Sequence, residues 1–169
     1  MVHFRSWPIP SPNSQPIEIA LGNYGNLWFT EQNASRVARI TPRGSITEFS
    51  LPTFGFPNDI TSGPDGNVWF TERFSQRIGK VTPSGQFTFY TTALHTLESI
   101  VTGPDGNLWF TSFGDHRLAR ITPQGVITEM PIAPGNPGPT GLASGPLAAP
   151  RTLWFLGYGN NRVYAMTLP

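Results

Sequence analysis

Few side chains in this chain could move a proton near neutral pH. It has three histidines, and two of them sit close to acids: His95 is near Glu98, and Asp115 directly precedes His116. A histidine and a carboxylate brought together from these two stretches would make a proton-transfer pair or part of a metal site. Their spacing matches no metal-ligand pattern, however, and His3 stands alone near the terminus. Glu31 and Glu72 occupy equivalent places in a recurring phrase, each directly after Trp-Phe-Thr. They suit either a carboxylate ring that accepts a cation or sugar hydroxyls, or a local structural role. Phe54, Phe56, Phe74, Phe113 and Tyr158 all fall between apolar runs. Aromatics in such places either stack on a sugar or apolar ligand, or cap the seams between packed elements. Arg36, Arg77, Arg117 and Arg162 recur in register, and that regularity argues for a repeated structural bond, such as one to a backbone carbonyl.

Composition removes whole classes of chemistry. There is no cysteine, hence no disulfide, thiolate nucleophile or zinc–thiolate site. The formal net charge is +1, so no global field favours nucleic acid or an anionic membrane. No apolar run approaches the roughly 18–20 residues that span a bilayer. The opening MVHFRSWPIP lacks the apolar segment of a signal peptide, and the compartment stays open. Eighteen glycines and eighteen prolines would suit disorder if scattered. Here they fall in register at turn positions between apolar segments, as turn-dense β structure requires.

The elements that must position these residues are set by one phrase. TGPDGNLWFT runs from Thr102 to Thr111, SGPDGNVWFT from Ser62 to Thr71 and LGNYGNLWFT from Leu21 to Thr30, with a worn copy, SGPLAAPRTLWFL, beginning at Ser144. The tryptophans of the phrase, Trp28, Trp69, Trp109 and Trp154, are about 40 residues apart. That period, built from short apolar runs, predicts β-propeller blades or a solenoid. Within the second repeat we expect strands at Ile60–Ser62, Asn67–Thr71, Arg77–Thr82 and Gln86–Tyr90. Asp65-Gly66 should form a two-residue hairpin turn and Pro83-Ser84-Gly85 a second reversal. Val68, Trp69 and Phe70 follow one another without polar interruption, which implies burial on both faces. No segment has helical periodicity, so the fold class is all-β, a propeller of four-stranded antiparallel blades.

Four repeats are expected, over about 17–51, 58–91, 98–132 and 140–169, cut out of phase. Phe4–Ile9 (FRSWPI) reads as a fourth strand without its first three, while Arg162–Thr167 (RVYAMT) reads as a third strand without a fourth. Residues 1–9 would then complete the last blade. Ring closure has three possible forms: a homodimer with eight blades, a four-bladed monomer, or a piece of a longer propeller.

The units GPDGN-(L/V)-WFTE, R-(I/L/V)-(G/A)-(K/R)-(I/V)-T-P-x-G and ITEF resemble the repeats of virginiamycin B lyase (streptogramin lyase) over essentially the whole chain, Phe4–Leu168. The resemblance implies a seven-bladed propeller that opens cyclic ester antibiotics by magnesium-dependent elimination. It also implies a glutamate and a histidine just before a first strand, the one for the metal and the other for the proton. In the matching stretches the glutamate position holds Gln15, Phe56, Thr96 or Gly138. The histidine position holds Ile17, Asn58, Glu98 or Thr140. No catalytic residue carries over. The expected function is therefore a non-catalytic binding or scaffold propeller without a cofactor, partnered by itself and by a small molecule or carbohydrate on its loop face. The alternative is a divergent lyase using Mg2+ with His95, Glu98, Asp115 and His116.

Overall fold

The computed structural model describes residues 2–132, 135–145 and 151–169. The worn part of the fourth phrase, 146–150, and the start of the loop predicted from Ala133 lie outside the described residues. Three four-stranded antiparallel sheets and one three-stranded sheet follow one another along the chain, each in simple sequential order. Blade 1 holds β1 (Pro16–Leu21), β2 (Leu27–Glu31), β3 (Arg36–Ile40) and β4 (Ile46–Ser50). Blade 2 holds β5 (Pro57–Ser62), β6 (Val68–Glu72), β7 (Arg77–Val81) and β8 (Phe87–Thr91). Blade 3 holds β9 (Leu97–Thr102), β10 (Leu108–Ser112), β11 (Arg117–Ile121) and β12 (Ile127–Pro131), and blade 4 holds β13 (Pro139–Ser144), β14 (Thr152–Gly157) and β15 (Arg162–Thr167). First strands contact one another from blade to blade (β1 with β5, β5 with β9, β9 with β13), so they form the inner wall of a propeller.

The recurring phrase builds this architecture in identifiable ways. Val68, Trp69 and Phe70 are buried on both faces, as their uninterrupted apolar run predicts. Core clusters span the seams between blades: Trp69 packs with Leu97, Ile100 and Phe110 of blade 3, and Trp109 packs with Leu142 and Phe155 of blade 4. The Asp-Gly turn differs from the expected two-residue hairpin. Only Gly66 takes a positive φ, and the loop closes from Gly63 N–H to Asn67 C=O at 2.8 Å. The cause is the Asp65 carboxylate, which accepts from the Asn67 N–H and from the Trp69 indole N–H at 3.0 Å. It thereby holds a wider turn and fixes the tryptophan at the same time. Asp105 and Trp109 repeat this bond in blade 3.

Each first strand carries a register shift, between Pro16 and Ile19, Pro57 and Ile60, Leu97 and Ile100, and Thr140 and Leu142. Such a bulge leaves backbone groups without ladder partners. The threonine of Trp-Phe-Thr supplies them: Thr71 Oγ1 accepts from Asp59 N–H at 3.1 Å and donates to Glu98 C=O of the next blade at 3.1 Å. Thr30 does the same between Glu18 N–H and Asn58 C=O. One hydroxyl therefore repairs a bulge and stitches two blades. Residues 4–9 belong to no strand in the single chain, because no third strand lies beside them. Their Trp7 nevertheless packs on the turn glycine Gly44, as Phe49 does on Gly85 and Tyr90 on Gly125.

Candidate functional site

The bulges turn one residue of each first strand, Glu18, Asp59, Ser99 and Gly141, towards a shared open cavity of about 450 Å³, whose other wall is Trp154, Phe155, Leu156 and Val163 of blade 4. Asp59 is the hub of the first-strand wall. Its Oδ2 accepts from Ser99 Oγ at 2.6 Å and from Ile100 N–H at 2.8 Å, and its Oδ1 accepts from Ile60 N–H at 2.7 Å. Ser99 Oγ in turn accepts from Leu142 N–H at 3.2 Å, so one polar chain ties blades 2, 3 and 4. Burial raises the Asp59 pKa, with those hydrogen bonds working against it. Burial also raises Glu18, and the charge of Asp59 adds to the effect.

On one face of the blades the loops after fourth strands meet those after second strands, as expected of neighbouring blades. Arg73 N–H donates to Phe56 C=O, and Leu97 N–H donates to Arg73 C=O. Arg73 and Glu98 form an ion pair at 2.7 Å. Asn58 Nδ2 donates to Glu98 C=O at 2.9 Å, and Gln32 donates to Asn58 Oδ1 at 3.1 Å. Burial raises the Glu98 pKa, against the pull of Arg73. Next to this polar group, Phe54, Phe56 and Phe74 form an edge-to-face series with centroids 5.0 and 5.4 Å apart, and the Arg73 guanidinium lies 5.5 Å from the Phe74 ring. Phe54 and Phe74 are more than 60% exposed, leaving an aromatic shelf open to solvent beside a charged pair. Phe113 and Tyr158 form a second, looser pair at 6.1 Å.

The four residues of the predicted proton-transfer group do not gather in one place. His95 Nδ1 lies 3.2 Å from the Asp115 carboxylate, which also accepts from Ser112 Oγ at 2.9 Å. Burial opposes ionisation of Asp115, but the His95 N–H and Ser112 hydrogen bonds keep its pKa below the ordinary value. His116 is held apart by a structural role. It adopts a positive φ, and its Nδ1 accepts from Gly138 N–H at 3.1 Å. Glu98 is committed to Arg73. Among the described residues no group of three metal-ligating side chains converges. The position that the resemblance assigns to the metal-binding glutamate holds Gln15, Phe56, Thr96 or Gly138.

Two expectations are corrected. Glu31 and Glu72 form no open carboxylate ring, because both are fully buried inside their blades. Three of the four regular arginines bind carboxylates rather than carbonyls: Arg36 with Glu48 at 3.2 Å, Arg77 with Glu72 at 2.7 Å and Arg117 with Glu129 at 3.7 Å. The inter-blade bond to a carbonyl is made by a different third-strand position, Arg39 to Pro83 C=O at 2.9 Å and Lys80 to Pro123 C=O at 3.4 Å. Sequence reading missed Asp59, Ser99 and Arg73. The first two become visible on aligning the residue after Ile17, Asn58, Glu98 and Thr140, where one position holds Glu18, Asp59, Ser99 and Gly141.

The profile of the virginiamycin B lyase family matches residues 2–167. Virginiamycin B lyase from Staphylococcus aureus superposes with a TM-score of 0.86 at 32% identity, over 96% of this chain and 58% of that one. A streptogramin B lyase structure gives 0.86 at 29% identity, over 98% and 58%. A catalytically inactive variant of the Staphylococcus aureus enzyme with quinupristin gives 0.83 at 34% identity, over 94% and 57%. This chain thus spans somewhat over half the length of those lyases. A gluconolactonase from Xanthomonas campestris shares the fold at 18% identity, with a TM-score of 0.74. Comparison with curated protein sequences gives no match. A profile match over almost the whole length, with repeats that build the same blades, means that the chain belongs to the virginiamycin B lyase family.

Proposed function

We propose that this chain is a binding propeller that holds a small molecule on its loop face without transforming it. The observation that carries this reading is the exposed shelf of Phe54, Phe56 and Phe74 beside the Arg73–Glu98 pair. Aromatic faces next to fixed donors and acceptors suit a ligand with both ring surface and polar groups, such as a carbohydrate or a cyclic peptide ester. The related lyase structure with quinupristin makes that antibiotic the natural first probe. Calorimetric titration with quinupristin, and separately with neutral oligosaccharides, tests the reading. Saturable binding to one class, weakened about tenfold by Phe74→Ala, is the expected result. No saturable binding to either, or binding indifferent to Phe74→Ala and Arg73→Ala, would refute it.

The second reading, a divergent lyase, rests on the family relationship and on the His95–Asp115 contact. A carboxylate beside an imidazole fixes the orientation of its ring. Incubation with quinupristin and Mg2+ separates the readings. Elimination opens the ring at unchanged mass and leaves a new carbon–carbon double bond, whereas hydrolysis adds the mass of one water. An opened product that disappears with His95→Ala would establish the enzyme.

A further inference from the structure

We propose that His116 is a proton-driven latch on the loop face: its neutral ring holds the linker into blade 4, and its charged ring lets that linker go. The linker from β12 to β13 presents Gly138 N–H to His116 Nδ1 at 3.1 Å. A backbone N–H can only donate, so Nδ1 of His116 is bare and the ring proton sits on Nε2. Both nitrogens of an imidazolium carry protons, so the charged ring has no acceptor left for Gly138. Imidazole is the side chain that changes its charge between about pH 5 and 8. His95 shows the contrary arrangement. Its Nδ1 lies 3.2 and 3.3 Å from the two oxygens of the Asp115 carboxylate, an acceptor, so here Nδ1 carries the proton. A second proton would enter at Nε2 and leave that contact in place. The connection Phe113–His116 thus makes one bond to an imidazole that survives acidification, and offers one imidazole bond that does not.

Comparison of the repeats shows that holding a linker does not itself require a titratable group. Ser35, Gln76, His116 and Asn161 occupy one position, directly before the third strand, and their φ values lie between 53° and 56°. In blade 1 the Ser35 hydroxyl accepts from Gly55 N–H of the next linker at 2.8 Å, a bond indifferent to pH near neutrality. Blade 3 does the same work with an imidazole, which adds sensitivity to protons. The groups around His116 leave that sensitivity intact. Asp115 is turned to His95, and Arg117 to Glu129. Residues 135–138 of the linker carry no titratable side chain, and the facing connection of blade 4 brings only Tyr158 and Arg162. The bond also bears on more than one residue. Gly138 has a φ of +50°, and a Cβ there would stand 2.9 Å from the Phe113 ring. Its C=O accepts from Tyr158 N–H at 3.2 Å, and Pro137 C=O accepts from Gly159 N–H at 2.9 Å. Releasing Gly138 therefore loosens the seat of the Phe113–Tyr158 pair on the loop face.

The latch works without a ligand, so it and the binding reading can fail separately. Amide hydrogen exchange at about pH 8 and about pH 5, spanning the imidazole range, reads the Gly138 bond directly. Each rate is compared with that of an unstructured peptide at the same pH. We expect Gly138 protection to fall about tenfold at the lower pH, the scale of one lost hydrogen bond. The His95 N–H, which donates to Asp115, should keep its protection. His116→Asn places an amide oxygen where Nδ1 stands, in a residue that tolerates the left-handed backbone, as Asn161 does in blade 4. That variant should hold Gly138 equally well at both pH values. Gly138 protection that stays level in the unmodified chain, or that falls as far in His116→Asn, would overturn the proposal. A fall shared by a core amide such as Val37 would also overturn it, by assigning the change to general loosening of the blades.

Discussion

At the residue scale the most telling group is Glu31. Blades 1, 2 and 3 handle one arginine position differently. In blade 1 Arg36 gives its guanidinium to Glu48, so Glu31 is fully buried without an arginine to pair with. In blade 2 Phe89 stands where Glu48 would, and Arg77 turns to Glu72. In blade 3 the position of Glu31 is Ser112 and the difficulty does not arise. Burial raises the Glu31 pKa above its ordinary 4.5, and the charge of Glu48 adds to this, against Ser14 and Arg36. A carboxyl whose pKa is raised in the folded state binds its proton more tightly there than in the unfolded chain. Its contribution is therefore most favourable below 4.5 and is lost as pH rises towards the folded-state value. Glu31→Gln removes that loss. We expect it to stabilise the protein by on the order of 1 kcal/mol at about pH 8 and to leave stability at about pH 4 nearly unchanged, as read by urea unfolding at the two pH values. A variant less stable at the higher pH would show that Glu31 is ionised and satisfied.

At the scale of elements, each blade solves the packing between its second, third and fourth strands as a set. Phe29 faces Ala38, and Ala38 faces Glu48; Phe110 faces Ala119, and Ala119 faces Glu129. In blade 2 the series is Phe70, Gly79 and Phe89. Phe87 and Phe89 press edge-on against Phe70 at 6.2 Å each, and the Phe70 ring occupies the space that a Cβ on Gly79 would need. Gly79→Ala should therefore cost about 1–3 kcal/mol through overpacking. Adding Phe89→Glu restores the composition of the sister blades and gives Arg77 a second carboxylate. The double variant should lose less than the sum of the single variants, measured as a double-mutant cycle. Strict additivity would mean that the ring and the glycine are not coupled.

The whole molecule is held by seams more than by any one blade. Hydrophobic clusters, the Thr30 and Thr71 bridges and the Asp59–Ser99–Leu142 chain all cross from one blade to the next. An array of blades assembled in this way resists unfolding in proportion to the number of seams formed, as in other repeat architectures.

The all-β class, the repeat period, the double-sided burial of Val68–Phe70 and the family were legible in the sequence. Each depends on local periodicity or on a phrase repeated in register, and such patterns survive without knowledge of the third dimension. The edge strand β15 is legible at its observed bounds for the same reason. The site was legible only in part. The sequence picked out the rim aromatics, because turn-rich loops between apolar runs must lie outside the core. It misplaced Glu31 and Glu72, since a carboxylate at a strand end looks the same whether it faces solvent or the inside of a blade. It grouped His95, Glu98, Asp115 and His116 by proximity along the chain, while the fold pairs His95 with Asp115, Glu98 with Arg73 and His116 with Gly138. Asp59 and Ser99 went unseen because a bulge, which shifts register by one residue, decides which side chain reaches the axis. Register between strands, and the partner each charge finds across a seam, are non-local quantities that only the tertiary structure determines.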